Sequence, residues 1–410
     1  MANTLKFGNG EWYGKKDTIL AYNDENSNYK PLPFDFSRAS KATVINKDGL
    51  IEEVGSGEPR IDYKNNTKGA LLLEPSRSNA LPYSNKFLNT GWQYYRGTIT
   101  ANATISPDGT LNASRYQEDS QTGSHLFRRQ SLSITNGLSY TGSIFAKKGE
   151  LTSLRLASNS NSRWVAGAEF NLENGTVTSG TGVIENYGNG WYRCSISGNA
   201  VQTTTVAGFE IYTSVGVGRD GDGLFMYGAM FEQGSYATSY IPTSGSAVTR
   251  LADVCLKEDI NTSIINSSYP FSMYAESTYI GGNKNVLSFS KKVVSNNYYQ
   301  ITINTNEVML DARANGSTEL IQSGVTLLDG QKFKVAVTME SATSGKICVN
   351  GSTVVSKTNF SNQAVNNEIN DLLLGQLRVP YDTGERLPVT DVKLYNTALT
   401  DQELIALTQV

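Results

Sequence analysis

Apolar and polar residues alternate along most of the chain, in runs too short for helices. Tyr140-Thr141-Gly142-Ser143-Ile144-Phe145-Ala146 is one such run. Turn signals separate the runs: Ser106-Pro107-Asp108-Gly109, Asn136-Gly137, Asn174-Gly175, Asn189-Gly190 and Asp220-Gly221-Asp222-Gly223. Side chains two residues apart share one face of a strand, and Asn-Gly or Asp-Gly supplies the positive φ of a tight hairpin. The spacing therefore predicts an all-β chain, with 81–250 as one jelly-roll sandwich. A second sandwich is predicted over 270–410, with strands at 271–279, 298–303, 333–339 and 345–349 and Asn350-Gly351 at a hairpin tip. One helix closes the chain. Thr400 and Glu403 make its capping box, and Leu404 and Leu407 share its buried side.

Two smaller regions precede the sandwiches. Residues 36–80 read as a compact β-rich unit, with a β-branched run at 42–45, a turn at Lys47-Asp48-Gly49 and a returning strand at 50–54. Arg38, Lys41, Arg60 and Arg77 suggest clamps on carboxylates or carbonyls, because a planar guanidinium holds two acceptors at once. Arg60 and Arg77 are expected to hold Asp62, Glu74 or main-chain carbonyls. Residues 1–35 are too few to bury a core alone. Their aromatic residues Phe7, Trp12, Tyr13 and Tyr22 either dock on another protein or form a sheet edge folded back on the chain's own second unit, the 36–80 region. Residues 251–269 read as a linker with one strand.

The 36–80 region also carries an ordered set: Arg38, Ser40, Ala42, Thr43, Gly49, Ile51, Val54, Pro59, Arg60, Asp62, Tyr63, Gly69, Leu71, Leu72, Glu74, Arg77 and Asn79. In order and spacing it resembles a segment of tailed-bacteriophage appendage proteins. The stretches 140–147, 188–193, 228–234 and 237–243 resemble carbohydrate-binding-module-like jelly rolls of phage tail proteins. The ending, 389–407, resembles the last strand and closing helix of laminin-G or concanavalin-like lectin folds. These resemblances imply a head fibre or tail appendage of a virion, assembled in the bacterial cytoplasm as a homo-oligomer. They imply attachment to other virion proteins through the N-terminal docking segment and weak binding of host-surface glycan by the two sandwiches.

Composition narrows the chemistry. With 35 basic and 38 acidic residues and a net charge of −3, the chain has no basic excess for nucleic acid or an anionic membrane. No apolar run reaches the roughly 18 residues of a membrane-spanning helix, and the N-terminus lacks a signal-peptide pattern. Cys194, Cys255 and Cys348 stand far apart and suggest no disulfide framework. His125 is the only histidine, with no serine motif beside it and no cysteine or histidine cluster for zinc. A non-enzymatic role is expected and no cofactor. A glycan-cleaving depolymerase is the alternative, since two well-placed carboxylates suffice, and a decoration protein without ligand is a third reading. Asp220 and Asp222 offer carboxylates to a structural calcium, although Phe231 stands where an EF-hand glutamate belongs. Sugar binding needs an exposed aromatic ring beside polar groups. Trp92, Tyr94 and Tyr95 in the first sandwich and Tyr298 and Tyr299 in the second are the candidates, whereas Trp164 and Trp191 are expected in the core.

Overall fold

Antiparallel strands joined by glycine and asparagine turns make up nearly the whole chain, with one helix among the described residues. The structure, a computed structural model, describes residues 4–7, 13–15, 18–23, 30–64, 67, 69–89, 91–158, 164–258, 269–290, 297–314, 317–360, 371–375, 385–395 and 397–410. Ahead of Phe34, and at Ala314, Glu385 and Arg386, it describes the backbone alone. The chain forms two compact units whose segments alternate. Met1–Lys41, Val54–Pro75 and Leu251–Val410 build an interrupted unit, and Ala42–Glu53 with Ser76–Arg250 build an inserted one. The 36–80 region is thus shared between the two units, and the one strand expected in the 251–269 linker is Val254–Lys257, which lies within a sheet of the interrupted unit.

The interrupted unit is a two-layer sandwich. One layer runs Ser317–Thr326, Glu307–Ala314, Tyr298–Asn304, Lys284–Ser290, Asp371–Leu374, Val254–Lys257, Lys30–Ser37 and Thr18–Asn23. The other runs Val355–Lys357, Ser344–Val349, Lys332–Ser341, Phe271–Thr278, Val389–Tyr395 and Thr4–Phe7. The described strands of the N-terminal segment join this unit's own sheets, Thr4–Phe7 beside Val389–Tyr395 and Thr18–Asn23 beside Lys30–Ser37. Phe34 and Phe36 enter the core with Leu71, Leu73, Met273, Ile301 and Leu394. Trp12 lies outside the described residues, and the side chains of Phe7, Tyr13 and Tyr22 lie outside the description. The helix Asp401–Thr408 has the expected capping box and buries Leu404 against Tyr274, Ala336 and Cys348.

A buried ion cluster ties the segments of this unit together. Asp253 Oδ1 accepts from Arg38 Nη1 at 3.0 Å, and Asp253 Oδ2 accepts from Arg60 Nη2 and from the Glu74 backbone N–H at 2.8 Å. Arg60 also donates through Nη1 to Glu74 Oε2 at 2.7 Å. Burial alone would lower the Arg60 pKa, but the charges and hydrogen bonds of Asp253 and Glu74 outweigh it and raise it. Glu74 was an expected clamp partner. Asp253, 193 residues away from Arg60, was not. Arg77 belongs to the inserted unit, 4.0 Å from Glu232.

The inserted unit is a sandwich of two six-stranded sheets. The first runs Trp92–Tyr95, Thr122–Ile134, Thr204–Val217, Ser153–Ser158, Gly167–Asn171 and Thr176–Gly180. The second runs Gly97–Ile105, Leu111–Glu118, Gly223–Gln233, Ser139–Lys148, Trp191–Asn199 and Val183–Asn186. Phe127, Leu156, Phe170, Phe209, Met226 and Phe231 fill the core between them. Asp253→Ala would leave two buried guanidinium groups short of a carboxylate, so it should cost about 3–5 kcal/mol. Denaturant titration of the whole chain should show this loss in the transition of the interrupted unit. An unchanged midpoint would count against the cluster as the tie.

Candidate functional site

The two outer faces of the inserted sandwich differ in what covers them. On the second sheet, Phe145, Trp191, Tyr227 and Met230 point away from the main core and are buried under Ile51, Tyr240 and Ile241. Ring centroids of Tyr227 and Tyr240 lie 5.4 Å apart, and the buried Arg193 donates to the Thr238 carbonyl at 2.5 Å. The outward side chains of the first sheet are largely uncovered, with Gln93, Tyr95, Arg155 and Glu169 exposed, although Leu126, Ala157 and Glu210 are buried. Their alternation, polar outward and apolar inward, is that of a half-solvated antiparallel sheet. This face is the candidate site.

Strand register sets its layout as two neighbouring rows across the strands. One row runs Gln93, Arg128, Glu210 and Ala157; the other runs Tyr95, Leu126, Tyr212, Arg155 and Glu169. Tyr95 is 40% exposed. It is held in place from both ends of its short strand. Gly91, with φ 98°, begins the strand where a Cβ would fall 1.3 Å from Arg129 Nη1, and Arg96 ends it at φ 54°. Tyr116 OH of the opposite sheet donates to the Tyr95 carbonyl at 2.6 Å.

Arg128 organises the polar row. Its Nε donates to Gln93 Oε1 at 3.2 Å, Nη1 to Glu210 Oε1 at 3.2 Å and Nη2 to Tyr95 OH at 2.6 Å. Its guanidinium carbon lies 4.7 Å from the centre of the Tyr95 ring. Tyr212 OH donates to Glu210 Oε2 at 2.6 Å. Burial first, then this bond and the Glu210 charge, push the Tyr212 phenol up to about 12, so it remains a donor at physiological pH. Arg155 lies 5.3 Å from the Tyr212 ring centre. Aromatic rings, planar cations and an amide thus meet on one preorganised surface. That arrangement can stack a sugar ring and orient its hydroxyls.

The other expected platform residues are placed differently. Trp92 is buried, edge-on to Phe87 with centroids 5.1 Å apart, and its indole N–H donates to the Tyr83 carbonyl at 2.8 Å. It is a core residue, because the strand turns its first position inward beneath Phe87. Tyr94 is 47% exposed but faces the opposite side of the strand from Tyr95. In the interrupted unit Tyr299 lies in the apolar core and Tyr298 is buried on the other face, donating to Asp311 Oδ2 at 3.1 Å. Burial removes both as open platforms. Gln93, Arg128, Glu210, Tyr212 and Arg155 were not foreseen. They come together only through the register of strands remote in sequence.

Asp220 and Asp222 sit in a turn whose carbonyls are already used: Gly221 O accepts from Arg115 Nη2 at 3.2 Å and from Gln117 Nε2 at 3.1 Å. No third His, Cys, Asp or Glu joins the two carboxylates among the described residues. A guanidinium beside the turn and too few donors do not fit calcium. His125 contacts Ser214 Oγ through Nδ1 at 3.2 Å and Asp119 Oδ1 through Nε2 at 3.3 Å. Ser214 is its direct ladder partner, and the imidazole has no exposed surface. A catalytic base must come within hydrogen-bond reach of the proton it takes up from substrate or water. An enclosed ring cannot do so, and these contacts instead tie the turn at Asp119 to its strand.

The contrast between neighbours on one strand is measurable. Trp92→Ala should destabilise by about 3–5 kcal/mol, as expected for a large core aromatic. Tyr95→Ala should leave the melting temperature nearly unchanged. Equal losses in thermal melts of the two variants would contradict these placements.

No curated protein matches the sequence. Among solved structures, the leech intramolecular trans-sialidase complexed with 2,7-anhydro-Neu5Ac aligns at TM-score 0.32 and 16% identity over 38% of this chain and 26% of its own. The Ruminococcus gnavus IT-sialidase CBM40 bound to α2,6-sialyllactose aligns at 0.30 and 16% over 37% of this chain and 97% of its own. Domains LG4-5 of the mouse laminin α1 chain align at 0.25 and 12% over 69% and 90%. Residues 253–405 match the family model described as the Concanavalin A-like lectin/glucanases superfamily, and the interrupted unit is accordingly similar to a lectin-like β-sandwich.

Proposed function

We propose that the protein binds glycan without cleaving it and is carried on a phage virion appendage. The observation that carries the glycan reading is the exposed Tyr95 ring beside the fixed Gln93–Arg128–Glu210 row. Both Glu210 oxygens are taken, one by Arg128 and the other by Tyr212. This buried carboxylate is therefore placed to hold Arg128 and Tyr212 in position, not to activate water or protonate a leaving group. The match of 253–405 to a superfamily of lectins and glucanases agrees with a carbohydrate partner. The ordered set from Arg38 to Asn79 supports the virion setting, with attachment through residues 1–35 and symmetric copies that turn weak contacts into firm adhesion.

The test is affinity electrophoresis in gels containing bacterial capsular or O-chain polysaccharide. Wild-type protein should be retarded by at least one of them without releasing reducing ends. Tyr95→Ala should weaken retention roughly tenfold or more, at unchanged melting temperature and oligomer size. Release of oligosaccharide would establish a depolymerase instead, and a change in oligomer size would assign the face to assembly. For the virion setting, antibody against the chain should label intact particles of the phage that encodes it. Unlabelled particles would remove that part of the proposal.

A further inference from the structure

We infer, resting on the glycan reading above, that the Tyr95–Tyr212 face holds an internal stretch of a linear polysaccharide laid across the strands, not a single terminal sugar. Tyr95 and Tyr212 share one row, with Leu126 on the strand between them. Neighbouring strands lie about 4.8 Å apart, which puts the two tyrosines roughly 10 Å apart across the sheet. That span exceeds one pyranose ring and suits successive rings of a chain.

The second row runs parallel to the first. It lies two residues along each strand, about 7 Å away. A chain stacked on the tyrosines would carry its hydroxyl edges over Gln93 and Arg128, with the buried Glu210 holding Arg128 from below. Gln93 Oε1 already accepts from Arg128 Nε and from Tyr95 OH at 3.3 Å. Its amide N–H groups have no protein partner among the described residues and are available to a ligand. Past Tyr212 the row continues to Arg155, whose guanidinium makes no ion pair among the described residues.

The ends of the rows point the same way. A site for one terminal sugar is a concave pocket that encloses most of its ligand. Here one end of the rows is the edge strand Trp92–Tyr95. The other passes Arg155 and Glu169 to the edge strand Thr176–Gly180, which is exposed at every position. An open track of this kind accepts a polymer that enters at one side and leaves at the other.

The experiment is calorimetric titration of the whole chain with mono- to hexasaccharides cut by partial hydrolysis from the polysaccharide that retains it. Affinity should rise at least tenfold from mono- to tetrasaccharide and then level off. Tyr95→Ala and Tyr212→Ala should each flatten that rise, whereas Tyr94→Ala, on the opposite side of the strand, should keep it. Tyr212 also bonds the buried Glu210, so if Tyr212→Ala melts early the surface variant Tyr95→Ala decides. A monosaccharide that binds as tightly as the hexasaccharide overturns the inference and leaves glycan binding standing. If no polysaccharide retains the protein, the glycan reading falls and the inference with it.

Discussion

A single buried carboxylate carries the interrupted unit. Asp253 receives Arg38 from the Met1–Lys41 segment and Arg60 from the Val54–Pro75 segment, and its own N–H donates to the Glu74 carbonyl at 3.0 Å. Charges this deep are tolerated only when every one is paired and hydrogen-bonded. The cluster is therefore less a source of stability than a demand for one arrangement of three remote segments. Any other register of those segments would strand a guanidinium in the core.

The inserted unit obeys a different constraint, the coverage of its faces. A sheet buried on both sides needs apolar residues on both faces, and Leu224 to Phe231 in the strand Gly223–Gln233 show this, with aromatic and aliphatic side chains on either face. The first sheet is buried on one side only. Its outer residues are free to be polar, and cross-strand pairs such as Arg128 with Glu210 replace packing as the local source of order. Rigidity without cover is what a binding face needs, since a preorganised surface loses little entropy when a ligand arrives.

What could be read in the sequence was local. Asn189-Gly190 and Asn350-Gly351 both adopt the left-handed conformation that their hairpin turns require, with φ values of 51° and 79°, and 51° and 69°. Thr400 and Glu403 cap the helix in the way their spacing dictates. The partner of Arg60 could be read only in part, because Glu74 is near in sequence and Asp253 is not. Aromatic residues were legible as a group but not by fate: Tyr298 and Tyr299 are adjacent, yet one lines the core and the other faces away from it. Tyr95 was named as a platform residue, but Tyr212 joins it through a ladder that spans most of the inserted unit. Nothing in the composition of either strand specifies that register.

The pairing of Thr4–Phe7 with Val389–Tyr395 imposes an order on events during translation. The first strands leave the ribosome long before the strand that will pair with them has been made. Residues 76–250, by contrast, form one continuous stretch of the inserted unit and can close once they have emerged. The entropy of closing the longer loop grows only logarithmically, so the delay burdens kinetics more than the final balance. Meanwhile the nascent N-terminal strands expose unpaired edges, the usual template for unwanted association. Pro31 and Pro33, which have no N–H to offer, blunt that edge in the strand Lys30–Ser37 until its partners arrive.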